Sequence, residues 1–183
     1  ASSPFTVTPD TAAPTGGSVS YPDGYDTDGD VTIVVDSGTD ALSGILPGSV
    51  SLERRTAALS DGSCDAFAGP WTAVTSPDTV ASGLCAQYRS RVSDRVGNEA
   101  VHTSGNVVKV DLVDPSAPAL TLDESSPYAH VVGTEIYLNT DESGSFDVQA
   151  SASDSVSGIA RIAFPNGVDD TSAPYAATYD FDD

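Results

Sequence analysis

Apolar and polar positions alternate along much of this chain, in runs too short for helices. In SFDVQASAS (145–153), Phe146, Val148, Ala150 and Ala152 take every second place, so one face of an extended segment is apolar and expected to point inward. Similar runs, several rich in β-branched residues, are VTIVV (31–35), SVSLERR (49–55), WTAV (71–74), CAQYRSRVS (85–93), NVVKVDLV (106–113), TEIYLN (134–139) and IARIAF (159–164). Gly, Pro, Ser and Asp interrupt the chain about every 8 to 12 residues, and no segment sustains a helical period. This spacing predicts an all-β chain of sandwich type. Trp71, the single tryptophan, is expected to anchor a core.

An internal repeat sets the expected organisation. SGTDALSGI (37–45) and SASDSVSGI (151–159) share Ser, Asp and the closing Ser-Gly-Ile, and upstream of each stands an Asp-x-x-x-Pro link, DTAAP (10–14) and DPSAP (114–118). The plan is a complete β-sandwich over 10–113 and a second domain over 114–183 of which only the N-terminal part is supplied. Residues 1–9, ASSPFTVTP, precede the first link as NVVKVDLV precedes the second. They read as the last strand of a preceding domain in a longer array, or as a strand exchanged between subunits. With no signal peptide, the sequence reads as mature or excerpted.

These links, the D-x-x-SGI loops and YRSRVSDRVGNEAV (88–101) resemble the bacterial immunoglobulin-like domains of large secreted surface proteins. The resemblance covers residues 10–113 and the first half of the pattern in 114–183. It implies tandem Ig-like sandwiches, with a turn from Asp94 to Asn98 joining the last two strands and a buried Tyr88 in the penultimate one. It also implies spacer or adhesive modules, often stiffened by calcium at domain junctions.

Charge narrows the partners. Twenty-seven acidic residues face seven basic ones in 183, a net charge of −20. Such a surface repels nucleic acid and anionic membranes and favours divalent cations or cationic partners. No apolar run approaches the roughly 18 residues of a membrane span. Cys64 and Cys85, in a Ser/Thr/Gly/Asp-rich chain without methionine, read as a disulfide of a secreted protein, the other reading being two free buried thiols. A bridge would close a loop of about 20 residues.

Catalytic chemistry finds no purchase. His102 and His130 lie in different domains, and no nucleophile elbow, metalloprotease helix motif or phosphate loop occurs. DTDGD (26–30) has the first three acids of an EF-hand loop, but Val31 and Ser37 stand where its glycine and bidentate glutamate belong. The fold implied by the resemblance gathers other acids. Domain entry, the loop after the second strand and the last hairpin share one pole, bringing Asp10, Asp36, Asp40, Asp94, Asn98 and Glu99 together as oxygen ligands for Ca²⁺. Asp114 and Asp154 repeat the arrangement in the second domain, with Asp26, Asp28 and Asp30 facing that junction from the first. The alternative is that these acids only hold their own turns.

The expected function is therefore non-enzymatic: a structural spacer of an extracellular, cell-surface repeat protein, with neighbouring copies or domains of the same protein as partners and calcium stiffening the joints. A glycan- or protein-binding adhesive module, and a filament subunit assembled by strand exchange, are the other readings.

Overall fold

The computed structural model describes residues 4–182, which contain strands and turns and no helix. The chain divides into two compact units, residues 1–113 and 114–183.

In the first unit, β1 (Ser18–Ser20) is followed by β2 (Gly24–Asp26), β3 (Asp30–Val31) and β4 (Val34–Asp36), and then by the long β5 (Ser51–Ser60). Short strands β6 (Ser63–Cys64), β7 (Thr72–Val74) and β8 (Asp78–Thr79) lead to β9 (Leu84–Ser93), β10 (Glu99–Thr103) and β11 (Val108–Val110). The largest sheet runs β2-β11-β9-β5-β6, with β7 added to β5 and β10 to β9. Facing it are two small antiparallel pairs, β1 with β4 and β3 with β8. Their residues meet in one core, in which Val19, Tyr21, Val31, Ile33 and Val80 pack with Ala86, Tyr88, Val108 and Val110.

The VTIVV run keeps its alternation but does not form one strand. Val31 and Ile33 are buried while Val34 is exposed. Between β3 and β4 the Ile33 N–H donates to Ser76 Oγ (2.9 Å), and the pairing passes from β8 to β1. One apolar face thus serves two small sheets.

β9 shows why period two suits this core. Ala86, Tyr88, Ser90 and Val92 point inward and are fully buried, whereas Gln87, Arg89 and Arg91 point out. The Tyr88 hydroxyl donates to Asp78 Oδ2 (2.9 Å), an acceptor shared with Arg54, and its ring meets Tyr21 edge-on at 4.9 Å. Burial first, then the hydrogen bond to charged Asp78, pushes the Tyr88 phenol well above its ordinary range.

Trp71 corrects an expectation, for it lies outside the core. It covers the outer face of the large sheet, with the guanidinium groups of Arg55 and Arg89 at 4.7 and 4.5 Å from its ring centroid. An indole ring satisfies two cations through its electron-rich face, which a buried site would leave unused. On the same outer face Cys64 and Cys85 form a disulfide (Cα–Cα 5.9 Å), beside Ala57, which pairs with Cys85 across β5 and β9. Ala57 and Leu59 are buried there, so β5 extends beyond the expected run to Ser60.

The second unit has β12 (Ala119–Glu124), β13 (Ala129–Val132), β14 (Glu135–Leu138), β15 (Gly144–Ser151), β16 (Ile162–Ala163), β17 (Asp169–Asp170) and β18 (Tyr175–Phe181). Its main sheet is three strands, β12-β15-β18, and β13–β14 and β16–β17 are hairpins. Val148 and Ala150 are buried, with Phe146 and Ala152 packed against their cluster, alongside Ile162, Phe164, Tyr175 and Ala177. Only 162–163 of the expected IARIAF run is strand. Of residues 1–9, the first three lie outside the described residues and 4–9 form no strand.

Candidate metal centre

Three separate segments of the first unit converge at one end. Asp94 opens the turn between β9 and β10, where its Oδ1 accepts the N–H groups of Val96 (2.9 Å), Gly97 (2.7 Å) and Asn98 (2.8 Å). Gly97 has φ +97°, a conformation that allows the chain to curl round one carboxylate oxygen. Asp94 Oδ2 accepts from Asn98 Nδ2 at 2.6 Å. Asp94 is 1% exposed. Burial works against its charge, but the bonds from the Asn98 side chain and the three backbone N–H groups outweigh it and hold the carboxyl below the usual range.

Asp40 organises the loop after β4 in the same manner. Its Oδ1 accepts the N–H groups of Leu42 (3.2 Å) and Gly44 (2.7 Å) and the Ser43 hydroxyl (3.4 Å). Asp10, in the entry segment, accepts the N–H of Ala12 on Oδ1 (3.1 Å) and that of Ser43 on Oδ2 (3.0 Å). The Ser43 side chain, then the Ala12 N–H, hold Asp10 below the usual range, against partial burial and the Asp94 charge. One oxygen from each of Asp10, Asp40 and Asp94 lies within 4.8 Å of the others. Like charges that close repel, and a hard cation ligated by oxygen would relieve the repulsion.

Comparison with protein-family models, curated proteins and solved structures found no match to this chain.

The remaining acids named from the sequence stand elsewhere or do other work. Asn98 is placed at the cluster, but as a donor: its Nδ2 also reaches the carbonyl oxygens of Asp10 (3.3 Å) and Ala12 (3.1 Å), clasping the entry segment to the β9–β10 turn. Asp36 ends β4 and accepts the Gly38 N–H (2.9 Å), outside the three-carboxylate group. In DTDGD two of the acids hold the turn and the third bonds across β3 and β8. Asp26 Oδ1 takes the N–H groups of Asp28 (3.2 Å) and Gly29 (2.6 Å), Asp28 takes that of Asp30 (2.9 Å), and Asp30 takes the Thr79 hydroxyl (2.9 Å). Gly29 (φ +80°) is required there, since a Cβ would stand 2.9 Å from the Val80 carbonyl oxygen.

In the second unit Asp154 holds its loop as Asp40 does, accepting N–H groups of Val156 (2.8 Å), Ser157 (2.9 Å) and Gly158 (3.4 Å), and these bonds hold it below the usual range. Asp114 is exposed, and no three-acid group forms around either among the described residues. The residue that sequence reasoning missed is Ser43, which ties Asp10 to the Asp40 loop. Its signal was the Ser of the repeated Ser-Gly-Ile.

Proposed function

We propose that this chain is a structural module of a secreted or cell-surface repeat protein, built as Ig-like sandwiches in series, in which Ca²⁺ at Asp10, Asp40 and Asp94 fastens the entry segment to the body of the first unit. The convergence of three carboxylates from three distant segments carries this reading. One acid comes from the link that would join a preceding domain, and the other two come from fixed loops. A cation between them would restrain rotation about that link, and bound oxygens from backbone and water would complete a shell of six to eight. The disulfide suits an oxidising compartment. A glycan-binding reading has less support, because Trp71 is already engaged by two arginines.

The test is thermal unfolding in excess calcium, in magnesium and in chelator, at constant ionic strength. Calcium at about 100 times its dissociation constant adds about 2.7 kcal/mol. Asp40→Asn is expected to remove most of the calcium-dependent rise. Superimposable curves in calcium, magnesium and chelator would eliminate the metal from the account.

A further inference from the structure

Bases are scarce in this chain, and one sheet face collects most of them. On β9 the buried Ala86, Tyr88, Ser90 and Val92 point into the core, so Arg89 and Arg91 project from the opposite side of the large sheet. Register puts Arg55 of β5 opposite Gln87, and Lys109 of β11 opposite Cys85, on that same outer side. Four of the seven basic residues thus share one face. Glu53 and Glu99 answer two of them, pairing with Arg89 and Arg91. Among the described residues Arg55 and Lys109 meet only neutral acceptors. Arg55 bonds the Gln87 side chain (2.7 and 3.0 Å) and the Phe67 carbonyl (3.3 Å), and Lys109 bonds the Gly62 carbonyl (2.8 Å). Trp71 lies half-buried over Arg55 and Arg89. Arginine and tryptophan are the side chains that most often anchor protein contacts.

The main sheet of the second unit has the opposite character. Val148, Ala150, Tyr175 and Ala177 face its core, so Asp147 of β15 and Thr178 of β18 point away from it. Asp123 of β12 stands directly opposite Asp147, and Asp180 of β18 shares their side. No base occurs in these three strands. Like charges directly opposite on neighbouring strands weaken a sheet. Asp147 accepts the hydroxyls of Ser125 (2.5 Å) and Thr178 (2.6 Å), and Asp123 accepts the Gln149 amide. None of these donors is a cation, so among the described residues the paired carboxylates have no counter-charge.

We propose that the outer face of β5, β9 and β11 is the docking surface for the β12-β15-β18 face of a second copy of this chain. Docking brings Arg55 and Lys109 to the carboxylates of Asp123 and Asp147, and each face gains the counter-charge that its own fold lacks. With a net charge of −20, copies repel unless a basic surface meets an acidic one, so charge selects this pair of faces. The two faces differ, which makes the contact heterologous: it extends from copy to copy or closes into a ring. Sheet faces make it, and it uses neither the entry segment nor the cluster of Asp10, Asp40 and Asp94.

Sedimentation velocity in chelator, over a range of protein concentration and at low and high ionic strength, tests this. Wild-type chain is expected to associate reversibly, and added salt is expected to weaken the association. Screening of plain self-repulsion in an acidic chain predicts the reverse. Lys109→Glu and Asp147→Lys each lower the association constant by about tenfold or more, because like charges then meet across the contact. Mixing the two variants restores association, since every contact between unlike copies pairs opposite charges. Near-ultraviolet circular dichroism is expected to match wild type for both. Asp123→Asn, which keeps the shape of its side chain, weakens association to a smaller extent. A wild-type chain that stays monomeric, association that strengthens with salt, or charge-reversed variants that associate as well as wild type would overturn the proposal.

Discussion

Asp40 and Asp154 occupy loops of the same kind, and each carboxylate gathers the N–H groups that follow it in sequence. Around Asp40 stand Asp10 and the nearly buried Asp94, whereas Asp154 has no such company among the described residues. The loop is thus a local device, complete within five residues and indifferent to what surrounds it. The three-acid cluster is a tertiary product. It exists only where β9 and β10 return to the same end of the sheet. The cores differ in the same way, since β9, which leads to Asp94, also brings Ala86 and Tyr88, and β11 beside it brings Val108 and Val110.

The largest expected effect is on those cores. Tyr88→Ala removes a fully buried ring and is expected to cost the first unit about 3 to 5 kcal/mol. Tyr175→Ala, in the smaller buried cluster of the second unit, is expected to cost that unit about half as much, because fewer atoms surround the ring. Native-state hydrogen exchange resolved by unit separates the two, and equal losses would break the contrast. Next comes the covalent tie. Cys64→Ser with Cys85→Ser is expected to lower the stability of the first unit by about 3 kcal/mol, read from denaturant midpoints, and to leave exchange in the second unlinked to the change.

These contrasts were partly legible in the chain. Alternation announced β9 and β15, because a face that is apolar at every second residue has only one way to be buried. The grouping of Asp10, Asp40 and Asp94 was expected from the resemblance, in which domain entry, the second-strand loop and the last hairpin share one pole; the repeat by itself marked only Asp10 and Asp40. β18 was not legible, although Tyr175 and Ala177 alternate with Ala176 and Thr178, since alanine contrasts too little with its neighbours to mark a face. Trp71 misled because hydrophobicity ranks indole as a core residue and says nothing about two arginines on the outer face of β5 and β9. In DTDGD composition could not separate carboxylates that cap turns from carboxylates that hold cations; Asp40 and Asp94 accept turn N–H groups as Asp26 does, and what sets them apart is their convergence with Asp10.

Smaller effects sharpen the comparison of the loops. Asp94→Ala removes the buried acceptor that three turn N–H groups and the Asn98 amide share and is expected to lower the first unit's melting midpoint by about 5 °C or more; Asp154→Ala, more open to water, lowers the second unit's by less. The smallest effect is acid. Asp10, Asp94 and Asp154 titrate in the fold below their ordinary 3.8. Each therefore adds stability that is complete above that value and is lost as pH falls through the lower folded one. Glu124, Asp147 and Asp170 are held below their ordinary range as well, so chemical denaturation from neutral pH down through the lower folded values is expected to show the steeper decline in the second unit, and Asp94→Asn is expected to flatten the decline of the first.

The pairing of β2 with β11 has a mechanical meaning. One strand lies near where the chain enters the first unit and the other where it leaves, and they run parallel, Gly24 opposite Val108, Tyr25 opposite Lys109 and Asp26 opposite Val110. Further bonds flank them, from Gly24 N–H to the Val107 oxygen (2.9 Å) and from Asp111 N–H to the Asp26 oxygen (3.1 Å). Tension that reaches these strands from the two chain ends draws them past each other along their length. All the bonds between them are then loaded at once, so they yield together or not at all.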